Sequence, residues 1–556
     1  MIHRSVLLAI LVLLPTVTQA QQQPASSAQP SKPNVLLICV DDLKPVLGCY
    51  VDSAAKTPNI DRLASRGTRF SSAYCNQAVC SPSRNALLTS LRPQTLGIYD
   101  LPTHFRKSKP DALTIGQLFR QSGYKTQALG KVFHVGHGNT EDQASWDVPH
   151  FKPKGGSYAL DSSKPTAADA KKSGDDAKGP PTEMADVEDN AYADGIVAEE
   201  AIRRLTEASQ SKQPFFIAVG FIKPHLPFVA PKKYWDMHDP NKLPQPTLHS
   251  APEGAPSYAP QFGGELRNYR GMPASPSPID AETTKHLIHG YYSAASYMDA
   301  QVGKLLDTLD QLKLAQNTIV VLWGDHGWHL GDHGMWCKHT NYEQATRIPL
   351  IISVPGKKAS VSTSLVETVD IYPTLAQLAG LQAPEGIDGR SFKSVFDNPT
   401  AKHRDHAIQV YPRGNRLGRS IRTERYRLVE WKTIGDAADT AELELYDYQA
   451  DPLESRNLAS EQPAVVEQLR SLLSKHPEAK PQIKVDKADE SPAKKSGSQD
   501  RNVMFDKRDK NKDGMLTFDE FMSGQPDPEA AKLRFPKFDK NQDKQLSRDE
   551  FVNSGK

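Results

Sequence analysis

The chain has 556 residues, 38% of them hydrophobic, and a formal net charge of +2 at pH 7 from 68 basic and 66 acidic residues. A length well beyond the roughly 250–300 residues at which one core stops growing indicates more than one domain. The near-neutral charge gives no general field for nucleic acid or anionic lipid, so nucleic acid is not an expected partner and any anion must bind locally.

Residues 1–20 have the pattern of a cleaved secretory signal peptide. His3-Arg4 is a basic start, Val6–Leu14 is apolar, and a polar leader rich in Gln, Ser and Pro follows at residues 21–32. The apolar run is shorter than the roughly 18–20 residues that a spanning helix needs, so no transmembrane anchor is expected. We expect export to the periplasm or the extracellular space.

Two apolar runs stop abruptly at acidic residues. Asn34–Val40 precedes Asp41-Asp42, and Thr318–Trp323 precedes Gly324-Asp325-His326. Such runs are typical of parallel strands buried on both faces, and ligands of open α/β sheets bind at the carboxyl ends of the strands. The alternative, helix capping, explains one aspartate more easily than two. The acids therefore predict a metal site.

Helical stretches alternate with further apolar runs between these two strands. This pattern predicts an α/β fold with a large, mostly parallel sheet flanked by helices, over a catalytic domain at residues 33–400. Residues 151–190 and 240–280 are rich in Pro, Gly, Ser and charge, so we expect long surface excursions that carry specificity. The predicted helices are Asn59–Arg66, Ile115–Ser122, Ala191–Ser209 and Ser293–Leu314.

The apolar runs of the sequence become shorter beyond about residue 400. Short runs such as Tyr426–Trp431 predict an antiparallel sheet, with a helix at Ala464–Ser474, in a smaller subdomain at residues 401–476. Residues 477–501 contain few large apolar side chains and predict a linker.

The last segment, residues 502–556, contains two twelve-residue loops of the EF-hand pattern. The predicted calcium ligands are Asp509, Asn511, Asp513, Met515 and Glu520 in the first loop, and Asp539, Asn541, Asp543, Gln545 and Glu550 in the second. Lys544 stands where the sharp turn favours glycine, which costs on the order of 1 kcal/mol and predicts a weaker second site. An EF-hand pair stabilises a protein or binds a protein partner, and the sequence leaves both open.

One pentapeptide, Cys80-Ser81-Pro82-Ser83-Arg84, resembles the C-x-P-x-R signal of the type I sulfatases. The resemblance implies that a formylglycine-generating enzyme oxidises Cys80 to formylglycine during maturation. Of the two hydroxyls of its hydrate, one attacks sulfur and the other expels sulfate, which is nucleophilic catalysis with a built-in release step.

Further motifs resemble the iduronate-2-sulfatase branch of the alkaline phosphatase superfamily over roughly residues 33–460. They include the segments that begin at Gly130 and Lys223, and the run from Asp325 to Lys338. The resemblance implies an alkaline-phosphatase-like fold and an active-site Ca²⁺, which suits an oxygen-rich ligand set better than Zn²⁺ does. The implied ligands are Asp41, Asp42, Asp325, His326 and the formylglycine at Cys80.

The same resemblance implies roles for the remaining site residues. Arg84 would hold the hydrate, His134 would fix one of its hydroxyls, and a histidine would protonate the leaving alcohol. The residues that would neutralise the sulfate are Lys131, His225 and Lys338. One departure is Thr89-Ser90, where the family usually has Thr-Gly, and it puts the turn after the motif in question.

The sequence therefore predicts an exported sulfatase that acts on a sulfated polysaccharide or oligosaccharide. One alternative is a phosphonate or phosphodiester hydrolase of the same superfamily. Another is a catalytically inert, calcium-dependent binding protein, which would leave Cys80 unmodified.

Overall fold

The computed structural model describes residue 1 and residues 32–169, 178–275, 277–484, 501–523 and 528–553. Nearly all of the predicted signal segment and leader, and residues 485–500 of the predicted linker, lie outside the described residues. The chain divides into two compact units, Met1–Ile483 and Lys484–Lys556. Within the described ranges, no helix is both long and apolar enough to cross a membrane.

The first unit contains a central sheet, two small two-stranded sheets and a separate antiparallel sheet. Its strands are β1 Asn34–Val40, β2 Thr68–Tyr74, β3 Lys125–Gly130, β4 Thr182–Ala185, β5 Phe215–Phe221, β6 Phe228–Pro231, β7 Thr318–Gly324, β8 His329–Leu330, β9 Trp336–Cys337, β10 Arg347–Ser353, β11 Ser360–Ser362, β12 Val366–Glu367, β13 His406–Arg413, β14 Arg416–Thr423, β15 Tyr426–Thr433 and β16 Glu442–Asp447. Its helices include α1 Pro58–Ala64, α2 Cys80–Thr89, α3 Pro93–Leu96, α4 Ile115–Gln121, α5 Ala193–Ser209, α6 Lys232–Trp235, α7 Gly264–Arg267, α8 Ala281–Gln311, α9 Glu343–Thr346, α10 Ile371–Leu378 and α11 Pro463–Leu473.

The central sheet has the order β11-β2-β10-β7-β1-β5-β3, with β12 beside β2. Strands β7, β1, β5 and β3 run parallel to one another, whereas β10 pairs antiparallel with both β7 and β2. The sheet is therefore mixed and mostly parallel, and the predicted α/β fold is confirmed.

Alternate side chains of β1 point to opposite faces of the sheet. Both faces are covered by helices, so both sets of side chains are buried. Leu37 packs in the layer that contains α4 and α10, and Ile38 packs in the layer that contains α5 and α8. All seven residues of β1 are buried, as are those of β7. The two strands thus form the centre of the core and fix the position of the residues that follow them.

The antiparallel sheet has the order β13-β14-β15-β16. Helix α11 buries Val466, Leu469 and Leu473 against this sheet. The antiparallel strands and the following helix thus form where the sequence predicts them. The chain does not leave this unit at residue 477, where the predicted linker begins. Ala479 is buried and the backbone of Ile483 donates a hydrogen bond to Gly97, so residues 477–483 belong to the first unit.

The second unit has two similar halves, each with a helix, a loop, a short strand and a second helix. Their bounds are α12 Arg501–Arg508, β17 Met515–Thr517, α13 Phe518–Met522, α14 Pro528–Phe538, β18 Gln545–Ser547 and α15 Arg548–Asn553. Strands β17 and β18 pair antiparallel, and Phe505, Phe521 and Phe551 are buried between the helices. Lys544 adopts a left-handed φ of 67°, as Gly514 does at 83° in the first loop.

Candidate active site

The ends of β1 and β7 place the predicted acidic residues side by side. Val40 is paired with Gly324 in the parallel register, so Asp41-Asp42 and Asp325-His326 leave the sheet at the same edge. The backbone N–H of Asp42 donates to Asp325 Oδ1 at 3.0 Å, and Tyr291 donates to the Asp42 carbonyl at 2.6 Å. All four predicted ligands from the two strand ends are fully buried.

Cys80 is the first residue of α2, and its thiol points into this acidic cluster. Its Sγ lies 3.4 Å from His326 Nε2 and 4.0 Å from Asp42 Oδ1. Burial and the carboxylate of Asp41 raise the pKa of the thiol well above its ordinary value. Ligand atoms of Asp41, Cys80, Asp325 and His326 all lie within 4.8 Å of one another, and Asp42 lies in an overlapping group of the same size. The structure thus brings all five predicted metal ligands together.

Arg84, one helical turn after Cys80, links the two strand ends. Its guanidinium contacts Asp41 Oδ1 at 2.9 Å and Asp325 Oδ2 at 3.1 Å, and it donates to the carbonyls of Lys131 and Val132. The side chain is completely buried. Because these donors are directed at protein groups, Arg84 organises the cluster from below.

Two lysines supply positive charge above the acids. Lys131, directly after β3, forms an ion pair with Asp41 and lies 3.8 Å from Cys80 Sγ. Lys338, directly after β9, lies 3.0 Å from Asp42 Oδ1. Burial alone would raise the pKa of Asp41, but Lys131 and Arg84 outweigh it and hold this pKa well below its ordinary value. Burial alone would lower the pKa of each lysine, but the neighbouring carboxylates outweigh it and raise the pKa of both, so both lysines face the cluster as cations.

The two predicted histidines differ in their surroundings. His225 Nδ1 lies 2.5 Å from Asp42 Oδ2, whereas His134 Nε2 lies 3.2 Å from His137 Nδ1. The buried Nδ1 of His134 has no hydrogen-bond partner among the described residues. Burial and the nearby Lys131 lower the pKa of His134 to about 3, so it is a neutral imidazole near pH 7. His225 thus touches the acidic cluster and His134 lies beside it in the cleft.

The donor atoms of the cluster fit a divalent cation. His326 Nδ1 lies 3.0 Å from the Gly327 carbonyl, which can only accept, so Nδ1 carries the proton. His326 Nε2 faces Asp42 Oδ1 at 3.3 Å and Asp325 Oδ1 at 3.6 Å. Burial raises the pKa of Asp325 to about 6. Carboxylate oxygens and an imidazole nitrogen that converge in this way are the ligand atoms that a metal ion placed between them would need.

Glu265 is a site residue that the sequence analysis missed. Its Oε2 lies 2.9 Å from Lys338 Nζ and its Oε1 lies 3.3 Å from His225 Nε2. It belongs to the short helix α7 within the predicted excursion at residues 240–280, where no motif marks it. Only the general expectation that excursions carry specificity pointed to this region.

Ser90, the predicted departure from the family, ends α2 in the left-handed conformation with a φ of 57°. Its hydroxyl donates to the Val369 carbonyl at 2.6 Å, and its own carbonyl accepts from Asp388. Serine therefore adopts the backbone that glycine favours, and the hydrogen bonds hold it there. The turn after the Cys80 helix is intact.

A cleft of about 710 Å³ opens above the cluster. Its floor includes Cys80 and Lys131, and the excursion at residues 151–190 contributes Lys152 and Lys178 to its wall. A second wall is formed by Glu265 and its neighbour Asn268. The cleft thus exposes one edge of the cluster to a ligand of the size of a sugar.

Comparisons with known proteins match almost all of the first unit. The family model described as Sulfatase matches residues 33–381, and the model described as N-sulphoglucosamine sulphohydrolase, C-terminal, matches residues 331–479. The chain is 33% identical to iduronate 2-sulfatase of Homo sapiens over 513 residues, which cover 76% of this chain and 90% of that protein.

Solved structures share the fold of the first unit. A protein in complex with its substrate D-glucosamine-2-N,6-O-disulfate superposes with a TM-score of 0.64 at 24% identity, over 80% of this chain and 97% of that one. The phosphonate monoester hydrolase of Silicibacter pomeroyi superposes with a TM-score of 0.65 at 22% identity, over 80% of this chain and 95% of that one. The same fold is thus found in a protein with a sulfated sugar substrate and in a phosphonate monoester hydrolase.

Proposed function

This chain belongs to the sulfatase family and is a sulfuric ester hydrolase, and we propose that it releases sulfate from a sulfated polysaccharide or oligosaccharide through a formylglycine hydrate formed from Cys80. The observation that carries the proposal is the position of Cys80 Sγ, which lies 3.4 Å from His326 Nε2 at the floor of a cation-lined cleft. A relative named for its action on iduronate sulfate supports a sugar substrate.

The residues around Cys80 have separate tasks in this proposal. Asp41, Asp42, Asp325 and His326 hold Ca²⁺ together with the modified residue 80. When present, the ion polarises a sulfate oxygen and the hydrate supplies the nucleophilic hydroxyl. Asp41 and Asp325 are themselves fixed by Arg84, which lies under them.

Lys131, Lys338 and His225 neutralise the sulfate group. Charge moves toward the bridging oxygen as the S–O bond breaks, and cations already in place stabilise that change without reorganisation. His225, which faces the cleft, donates a proton to the leaving alcohol, and the neutral His134 holds a hydroxyl of the hydrate.

Mass spectrometry of the peptide that contains residues 71–90 tests the modification, on protein coexpressed with the maturation enzyme. We expect an aldehyde at Cys80, turnover of sulfated oligosaccharides, and a loss of about 1,000-fold or more in kcat/KM for Cys80→Ala. Cys75→Ala is the matched control, because Cys75 is also buried but its Sγ faces the Ala345 carbonyl. No turnover across a broad panel of sulfated glycans, with the aldehyde present, would contradict the proposal, and faster turnover of aryl phosphonates would favour the phosphorus ester alternative.

We also propose that the chain is exported and that its second unit binds two calcium ions, one in each loop. Thr517 N–H donates to Glu520 Oε2 at 3.0 Å, and Ser547 N–H donates to Glu550 Oε2 at 3.0 Å, so both end-of-loop glutamates are held alike. The left-handed φ of Lys544 supports a weaker second site.

Calcium titration by calorimetry checks this second proposal. Glu520→Gln should remove calcium binding at the first loop, the tighter of the two. Lys544→Gly should raise the calcium affinity of the second loop by about fivefold, because the backbone strain of about 1 kcal/mol is relieved. Adding Glu550→Gln to Lys544→Gly should abolish that gain. If the native protein, Glu520→Gln and the Lys544→Gly, Glu550→Gln double variant bind calcium equally, the two loops are not calcium sites.

A further inference from the structure

Glu265 is an acidic group in a place that should attract anions. Among the described residues that line the cleft, it is the one carboxylate, and it lies beside Lys338 and His225, two groups proposed to neutralise the sulfate. Burial alone would raise the pKa of Glu265, but Lys338 and His225 hold it well below the ordinary value, so the group is charged. A fixed negative charge in an anion site needs an explanation.

The backbone around Glu265 is built to hold it there. Phe262 forms a β-bridge with Trp336, and Gly263 packs so closely that an added Cβ would lie 2.7 Å from the Trp336 side chain. Leu266, the next residue, is fully buried. Trp336 lies two residues before Lys338, so the segment that supplies the lysine also carries the segment that supplies the glutamate. The pair is therefore a fixed feature of the site.

The charge of Glu265 acts differently on esters of different charge. A sulfate monoester or a phosphonate monoester carries one negative charge, whereas a phosphate monoester carries nearly two at pH 8, since its second pKa is about 6. A nearby carboxylate offsets part of the positive charge of Lys338 and repels the second negative charge of the phosphate. One charge can be accommodated and two are penalised.

We propose that Glu265 is a specificity-determining residue, which makes this cleft select singly charged esters over doubly charged phosphate monoesters. The inference rests on the proposed function, because it assumes that the ester is bound by Lys131, Lys338 and His225. It assigns to an excursion residue a part in choosing the reacting group rather than the sugar.

The test uses the full-length protein, with equal aldehyde content at Cys80 in every variant. The 4-nitrophenyl sulfate, phosphate and phenylphosphonate esters are compared at pH 8. Glu265→Gln should raise the ratio of phosphate to sulfate kcat/KM by at least about tenfold, because one repulsive charge is removed close to the ester. The ratio of phenylphosphonate to sulfate should change little, since both esters carry one charge.

Two further variants separate charge from structure. Glu265→Asp keeps the charge and should keep the native phosphate ratio, and Glu253→Gln makes the same chemical change at an exposed glutamate of the same excursion. A parallel loss on all three esters in Glu265→Gln, or an unchanged phosphate ratio, would overturn the inference while leaving the sulfatase proposal intact. If the native protein with its aldehyde hydrolyses no sulfate ester, the proposed function fails, and this inference fails with it.

Discussion

Glu454 is a buried carboxyl group whose ionisation opposes folding. It is 2% exposed, and its carboxyl accepts hydrogen bonds from the backbone N–H of Glu343 at 3.0 Å and from the Tyr448 hydroxyl. Burial raises its pKa to about 7, although Arg427 partly offsets this effect. The folded protein therefore binds a proton at Glu454 more tightly than the unfolded chain does.

This raised pKa predicts a pH-dependent stability. The stabilisation from the protonated group is fully present below the unfolded pKa of about 4.5 and is lost as the pH rises through about 7. Between pH 5 and pH 8 the native protein should lose about 2–3 kcal/mol of unfolding free energy relative to Glu454→Gln, which cannot ionise. Urea unfolding of both proteins at the two pH values measures the difference.

The exposed Glu253→Gln variant is the control, and it should follow the pH dependence of the native protein. Identical pH dependence in the native protein and Glu454→Gln would mean that Glu454 ionises in the folded state as it does in the unfolded chain.

At the scale of residues, sequence reasoning found what local motifs mark. Cys80 and Arg84 lie in a pentapeptide that resembles the sulfatase signal, and Asp41, Asp42 and Asp325 directly follow apolar runs. Glu265 contacts Lys338, which lies more than 70 positions away, through a helix of four residues. No periodicity or motif records such a contact, because it depends on how an irregular excursion folds back.

At the scale of elements, β5 and the turn after β3 approach each other more closely than a side chain allows. A Cβ added at Gly220 would lie 2.2 Å from the backbone of Lys131, which donates a hydrogen bond to the Gly220 carbonyl at 2.9 Å. The absence of a side chain at Gly220 thus sets the position of Lys131 in the proposed active site.

Gly220→Ala should therefore destabilise the protein by about 1–3 kcal/mol, as overpacking in a core does. It should also lower kcat/KM, because the alanine displaces Lys131 from Asp41 and Cys80. Thermal unfolding and sulfatase kinetics measure the two effects.

Gly264→Ala is the matched control for stability. A Cβ at Gly264 would meet only the Gln261 side chain, at an ordinary 3.5 Å. If the two alanine variants unfold at the same temperature, the close approach at Gly220 has no energetic importance.

The sequence predicts strand positions correctly where a strand is buried along its whole length. Strands β1 and β7 are apolar after their first residues, Asn34 and Thr318, and the observed strands begin where the sequence predicts. Helix α8 begins at Ala281, twelve residues before the predicted start, because Asp280 caps it and its first turns are polar. The antiparallel placement of β10 between β7 and β2 depends on long-range pairing, which no local pattern specifies.

At the scale of the whole molecule, residues 477–483 form a strap that holds the C-terminal sheet to the helices near the active site. Lys480 donates its backbone N–H to Gln94, and its carbonyl accepts from Tyr99 at 2.6 Å. Glu478 pairs with Arg419 and Lys432 of the antiparallel sheet. The strap therefore joins the antiparallel sheet to the segment at residues 94–99.

Two truncations test where the catalytic unit ends. A chain that stops after Ile483 should keep native turnover and native stability of this unit, whereas a chain that stops after His476 should lose about 2–5 kcal/mol, because the strap's hydrogen bonds and ion pairs are removed. Chemical unfolding and sulfatase assays compare them. Equal stability of the two truncations would show that the strap is dispensable.

The depth of Cys80 also constrains the order of events during synthesis. The thiol is 3% exposed, and it is enclosed by His326, so the enclosure cannot close until about 245 further residues have been made. At roughly 5–20 residues per second, translation of that stretch takes at least about 12–50 s. An enzyme that modifies this cysteine must therefore act on a nascent or unfolded chain. Cells that lack the enzyme during synthesis would accumulate a well-folded protein with an unmodified Cys80, and adding the enzyme later would not modify it.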